Sequence, residues 1–314
     1  MEYIEQEILV GTNTAYGAEV PLSISSGLFL RLNETARPCV RMALEGSSAS
    51  VGALPQWLER ASDIRTLRFE KSNGHSVLHL KAPRLGDAAP DMFDQQRLWP
   101  GIARADDTAI QIIGRVAQVV RRHEESSDVF DQPLLKHFTN WKSFFKRDVH
   151  SVQLAPANDS SGPFTLDMAV AVNAKELSDQ TPAPRQVRIV GKLDMVRHST
   201  RSFGLILAGG AEVRGVLVEG DHSILQEHFG KEITVLGRAV YRPSGSLLRI
   251  DAQELLESTE GRSIFSQIPE PLQRASDREH RLVPARRGVA AFFGTWPGEE
   301  TDGELLEMLG ELRK

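Results

Sequence analysis

The stretch Val187-Arg188-Ile189-Val190-Gly191-Lys192-Leu193-Asp194-Met195 opens the part of the chain whose reading decides the fold. Val187, Ile189, Leu193 and Met195 share one face, while Arg188, Lys192 and Asp194 share the other, which is the period of a half-buried strand. Gly191 in mid-run marks a kink of the kind a small barrel needs. Further strands are predicted over 203–207, 212–218, 232–241 and 247–252, with turns at Ala208-Gly209-Gly210 and Pro243-Ser244-Gly245. A short helix over 223–229, closed by Gly230, separates the third strand from the fourth. The alternation puts Ile233 inside the fourth strand's core face and Thr234 outside it.

Three strands, a helix and two strands is the element order of the oligonucleotide/oligosaccharide-binding (OB) barrel. The run Gly230-Lys231-Glu232-Ile233-Thr234-Val235-Leu236-Gly237-Arg238 also resembles the fourth strand of that class. An SH3-like barrel is the competing assignment. Between Arg185 and Arg249 there are ten Lys or Arg against six Asp or Glu, a local surplus in a chain of net charge −5. Bulk charge therefore does not make the protein a polyanion binder, but a barrel face could track phosphates. The residues that would do so are Arg197 and Arg201 in the first loop, with Tyr241 and Arg242 at the fourth.

Upstream the pattern is mixed. Val40, Met42 and Leu44 alternate with Arg41 and Ala43 and read as a strand. A short helix is expected around Trp57, with Pro55 in its first turn. The runs 66–70 and 76–80 flank Asn73-Gly74 and predict a hairpin, because both turn residues tolerate positive φ. Ala109, Ile110, Ile113, Val116, Ala117 and Val120 form one helical stripe, with Asp106 and Asp107 read as its cap. A second helix starts at Asp131-Gln132-Pro133, and the two are expected to form a helical hairpin. In that second helix Phe138, Trp141 and Phe145 interleave with Lys142, Lys146 and Arg147, but they fall on one stripe and read as core. The polar run 155–163 is taken as a domain boundary, followed by a strand over 164–173.

The expected organisation is therefore α+β: a mixed domain over 1–154, a small five-stranded barrel domain over 164–257, a polar linker over 258–288 and a C-terminal binding tail over 289–314 that ends in a short helix. A single cysteine, Cys39, excludes an internal disulfide framework and reads as a buried apolar residue. The acidic start of the chain is not a signal peptide, and no apolar run approaches a membrane span, so a cytoplasmic protein is expected. The histidines show no metal-ligand spacing, and no nucleophile elbow or phosphate-cradling loop occurs. No catalytic residue, metal or cofactor is therefore expected.

The tail carries the most distinctive phrase, Phe292-Phe293-Gly294-Thr295-Trp296-Pro297-Gly298-Glu299-Glu300. After it, Thr301 and Glu304 have capping-box spacing, and Leu305, Leu306, Leu309 and Leu312 form an apolar stripe. This segment resembles the C-terminal region of some small bacterial antitoxins. The resemblance implies a protein partner, often a toxin of the PIN ribonuclease type, gripped through Phe292, Phe293, Trp296, Pro297, Glu299 and Glu300. Independently of it, apolar groups delivered by a polar linker need a covering surface, and Trp is a favoured interface anchor. That surface is either a partner or the protein's own body. Two functions follow: a non-enzymatic binding or regulatory protein that uses its tail, or a nucleic-acid-binding protein that uses the basic barrel face.

Overall fold

Alternating apolar residues in β1 (Tyr3–Thr12), β3 (His75–Pro83), β4 (Val149–Leu154) and β5 (Phe164–Asp167) turn Ile8, Val10, Leu78, Leu80, Val152, Leu154 and Leu166 to one side of a single sheet. The computed structural model describes residues 1–49, 54–72, 75–93, 103–145, 148–154, 163–197, 199–218, 223–257 and 265–272. With β2 (Arg65–Ser72) the sheet runs β2-β3-β1-β4-β5, every neighbour antiparallel. Strands β2 and β3 are the predicted hairpin, paired out to Ser72 and His75, and the turn residues between them lie outside the described residues.

One face of this sheet is covered by α1 (Leu22–Glu45), α4 (Ala109–Arg121), α5 (Gln132–Asn140) and α6 (Met168–Gln180), whose apolar stripes join the strands in one core. Two shorter helices, α2 (Gln56–Ala61) and α3 (Leu85–Ala88), pack on each other, and α2 also meets β3. Both predicted helices of 107–147 form, but they do not pack on each other as the expected helical hairpin; each packs on α6, which lies later in the chain. Thr108, not Asp106 or Asp107, caps α4, in a reciprocal box with Gln111. Asp107 instead pairs with Arg115. The Thr108 hydroxyl also donates to Gln6 of β1 at 2.9 Å, which fixes the helix end to the sheet. Gly114 lets α4 approach β5: a Cβ there would lie 2.3 Å from the Phe164 ring. Phe138, Trp141 and Phe145 are core, as their stripe predicts, and Trp141 Nε1 donates to Thr35 Oγ1 at 3.0 Å.

Two local expectations are corrected. The residues 40–44 belong to α1, which runs through Pro38 and ends at Gly46 in the left-handed region, φ 76°. Leu28, Leu32, Ala36, Cys39 and Val40 bury a helical stripe whose tertiary burial outweighs the lost backbone bond at Pro38. The expected strand over 164–173 stops at Asp167, whose carboxylate accepts the Val170 amide at 3.2 Å and starts α6. Because β5 pairs with β4 across 155–163, that polar run is a connection within the first sheet. Residues 164–180 thus belong with the α+β layer, and the change to the second sheet falls at 181–184.

Cys39 is fully buried, and burial pushes its thiol well above the ordinary value. A disulfide reagent should therefore leave the native protein unmodified and titrate one thiol in denaturant; fast labelling of the native chain would contradict this packing.

The second sheet is a closed five-stranded barrel made by β6 (Arg185–Arg197), β7 (Ser202–Ile206), β8 (Glu212–Leu217), β9 (Glu232–Tyr241) and β10 (Leu247–Glu257). Its closure order is β6-β7-β8-β10-β9, with β8 and β10 parallel and all other pairs antiparallel. Helix α7 (Ser223–Glu227) lies between β8 and β9. Ile189, Leu193, Phe203, Leu205, Val235 and Ile250 are among the side chains that fill the interior. Ile233 points inward as expected, but Thr234 is also covered, at 3% exposure. It stands across from Val190, itself buried, whose amide donates to Phe265 O at 3.1 Å.

The division of the chain falls between Leu272 and Gln273. No described helix is long and apolar enough to cross a membrane.

Candidate functional site

The barrel and the α+β layer meet through charged residues the sequence placed on an open face. Asp131 is the N-cap of α5 and accepts from Leu134 N at 3.2 Å. Its carboxylate also accepts from the amide of Ser48 at 3.1 Å and from the Ser48 hydroxyl, which bridges the end of α1 to the start of α5. Arg249 of β10 reaches into the same spot. Its Nη2 lies 3.1 Å from Asp131 and 3.0 Å from Ser47 Oγ, while its Nε donates to Asp251 at 2.6 Å. The two side chains are 6% and 0% exposed, so this ion pair is shut off from water. Burial works to lower the Arg249 pKa, and Asp131 and Asp251 together carry it above the usual guanidinium value.

Three residues earlier, Asp128 takes Arg214 of β8 at 2.6 Å and Arg242 Nε at 2.7 Å. The Ser244 amide donates to Glu125 O at 3.2 Å, and Arg197 Nη2 donates to Met92 O at 2.5 Å. The connection between α4 and α5 thus presents carboxylates to arginines from β8, β10 and the β9–β10 turn. Val240 and Leu248 of the barrel complete the junction by joining the core of the α+β layer.

This settles where the predicted phosphate-tracking residues lie. Arg197 is buried and bonded to Met92 O, Arg242 is tied to Asp128 and Leu247 O, and Tyr241, 1% exposed, donates to Glu270 O at 3.2 Å. Arg201 alone of the four is exposed, with φ 51°. The four do not form one open surface. Charge counting could not find this, because it does not tell a cation facing solvent from one facing a carboxylate of its own chain. The Asp131 that precedes Gln132-Pro133 was legible as a helix start; its second role, and that of Asp128, had no local signal.

A strap follows the barrel. Part of the segment expected to be linker, 265–272, lies on β6 and β9 through Phe265 O to Val190 N, Glu270 O to Tyr241 Oη, and the Arg188 guanidinium over the Phe265 ring at 5.1 Å. A prolyl segment suits this, since Pro269 and Pro271 have no amide to satisfy while the neighbouring carbonyls can still accept. Leu272, the last described residue of this segment, is 80% exposed. The tail residues Phe292, Phe293, Trp296, Pro297, Glu299 and Glu300, and the expected C-terminal helix, lie outside the described residues.

No family model, no curated protein and no solved structure matches the chain.

One further concavity, of about 430 Å³, lies at the start of α1 and includes Tyr16, Ile24, Arg31, Phe144 and Asp148 in its lining. Its polar groups satisfy one another. The Tyr16 hydroxyl donates to Asp148, which holds the phenol above its ordinary pKa, and Arg31 meets Glu34 at 2.5 Å and Ser143 at 3.1 Å. On the sheet's other face, His79 stands between Glu5 at 3.1 Å and Glu70 at 3.2 Å, but no group of three such side chains among the described residues could hold a metal ion.

Proposed function

We propose that this is a non-enzymatic binding protein that presents its C-terminal tail to a protein partner from a fixed point on the barrel. The observation that carries the reading is the strap. It holds the chain on β6 and β9 as far as Glu270, and the chain divides just after Leu272. A segment anchored at a defined place loses less freedom on binding than one at the end of a loose chain. The apolar trio Phe292, Phe293 and Trp296 would be the anchor, and Glu299 and Glu300 would suit a basic groove or one bearing a metal ion. By its likeness to antitoxin tails, we take the partner to be a ribonuclease of the PIN type.

Within the same proposal the barrel is of the OB type, a reading supported by its closure order and by the helix between β8 and β9. Barrels of that type bind oligonucleotides on the face of the second and third strands and with the loops after the first and fourth. Here Arg197, Arg214, Arg242 and Ser244, from those elements, contact the chain's own α+β layer. The barrel thereby serves as a mount, and the nucleic-acid function becomes the alternative to be tested.

The test is co-expression with the product of the adjacent gene. Trp296→Ala should weaken co-purification by about 2 kcal/mol, close to thirtyfold, and leave the melting temperature of the free protein unchanged. A lowered melting temperature with undiminished capture would mean that the tail straps its own protein. Saturable, salt-sensitive binding of single-stranded DNA or RNA, with no capture of the neighbour, would favour the alternative.

A further inference from the structure

Strand β6 is shared unequally by its neighbours. Strand β9 pairs with it from Arg185 to Lys192, whereas β7 begins only at Lys192. The first half of β6 therefore has an outer edge on which no strand of the described residues pairs. Its direction follows from the ladder: the Leu193 amide donates to Lys231 O, on the β9 side, so the odd-numbered residues turn their backbone groups to β9. The even-numbered residues Gln186, Arg188 and Val190 turn theirs outward. Val190 meets Phe265 O. Beyond that bond the strap diverges, and among the described residues no group meets the amides of Gln186 and Arg188.

The divergence opens a groove of about 710 Å³ between the edge and Gln267–Leu272. The far wall contains Pro269 and Pro271, which cannot donate to β6 or to anything lying beside it. The near wall brings Arg188, stacked on Phe265, and Arg185, whose guanidinium meets the Tyr241 hydroxyl while its buried Nε has no hydrogen-bond partner among the described residues. Glu270 is the one carboxylate in the lining.

We infer that this edge is a docking site for an extended acidic segment of a protein partner, which adds to β6 as a further strand. Outward-facing amides and carbonyls two residues apart supply the main-chain ladder, and the two arginines supply the preference for glutamate or aspartate side chains. The inference is independent of the tail, since none of its residues lies beyond Leu272.

The experiment uses the full chain and a fluorescein-labelled octapeptide of alternating valine and glutamate. The expected result is saturable binding, unaffected by Trp296→Ala, and lost by about tenfold in a peptide N-methylated at alternate residues, which keeps its charge but cannot complete the ladder. Gln186→Pro removes an outward amide, keeps both arginines and spares the β6–β9 ladder, so it should weaken binding by about the same factor, while Arg188→Lys should bind nearly as the parent does. The methylated probe keeps the test decisive even if the proline variant folds poorly. Equal binding of the plain and methylated peptides would show attraction by charge alone and overturn the inference, as would the absence of saturable binding.

Discussion

Asp131→Ala should destabilise the protein by about 3–5 kcal/mol, the scale for removing one partner of a buried ion pair. The change leaves Arg249 at 6% exposure with its main counter-charge gone and, among the described residues, Asp251 and Ser47 as its remaining partners. It also removes the cap of α5 and the acceptor for Ser48. The effect is not the worth of the pair itself, because its attraction is largely offset by the cost of taking both charges out of water. The double change Asp131→Asn with Arg249→Met should consequently recover much of the loss, since no uncompensated cation remains. Urea unfolding of the parent, the single variant and the double variant measures this directly. A single variant within about 1 kcal/mol of the parent would mean that water reaches the junction.

The other large effect belongs to the barrel. Ile233→Asp should cost on the order of 4 kcal/mol or more, because it places a carboxylate among Ile189, Val235 and Leu255 with nothing to pair it. Alternation alone would make the neighbouring Thr234→Asp mild. The structure changes that forecast: at 3% exposure Thr234 stands beside the buried Val190, so the added charge is also desolvated. We expect about 1–3 kcal/mol for it, less than for Ile233 because a single methyl group is lost and the barrel interior keeps its packing. Chemical denaturation of the two variants gives the comparison. A Thr234→Asp variant as stable as the parent would place that position in water.

The proposed function divides along the same line. The aromatic and acidic phrase of the tail was legible without a structure, because side-chain type and spacing are all that such a segment carries. The strap that fixes its point of departure was not, since Ile268-Pro269-Glu270-Pro271 looks like linker until Phe265 and Glu270 are seen bonded to the barrel. The open edge of β6 was equally hidden, for it depends on where β7 begins to pair.

By itself the sequence determined what local periodicity can encode. That covers the barrel strands and the helix between them, the β2–β3 hairpin, the apolar stripe of α4, the start of α5, and the inward aim of Ile233 and Trp141. Each rests on side chains two, three or four residues apart, whose common face is fixed by backbone geometry. Tertiary structure alone decided whatever depends on residues far apart in the chain. It carried α1 through Pro38, because a continuous stripe of buried side chains outweighed one lost bond. It joined β5 to β4 across a polar run that looked like a boundary. It also turned Arg197, Arg242 and Arg249 from an apparent ligand surface into an internal junction, because Met92, Asp128 and Asp131, the groups they meet, lie more than a hundred residues away along the chain.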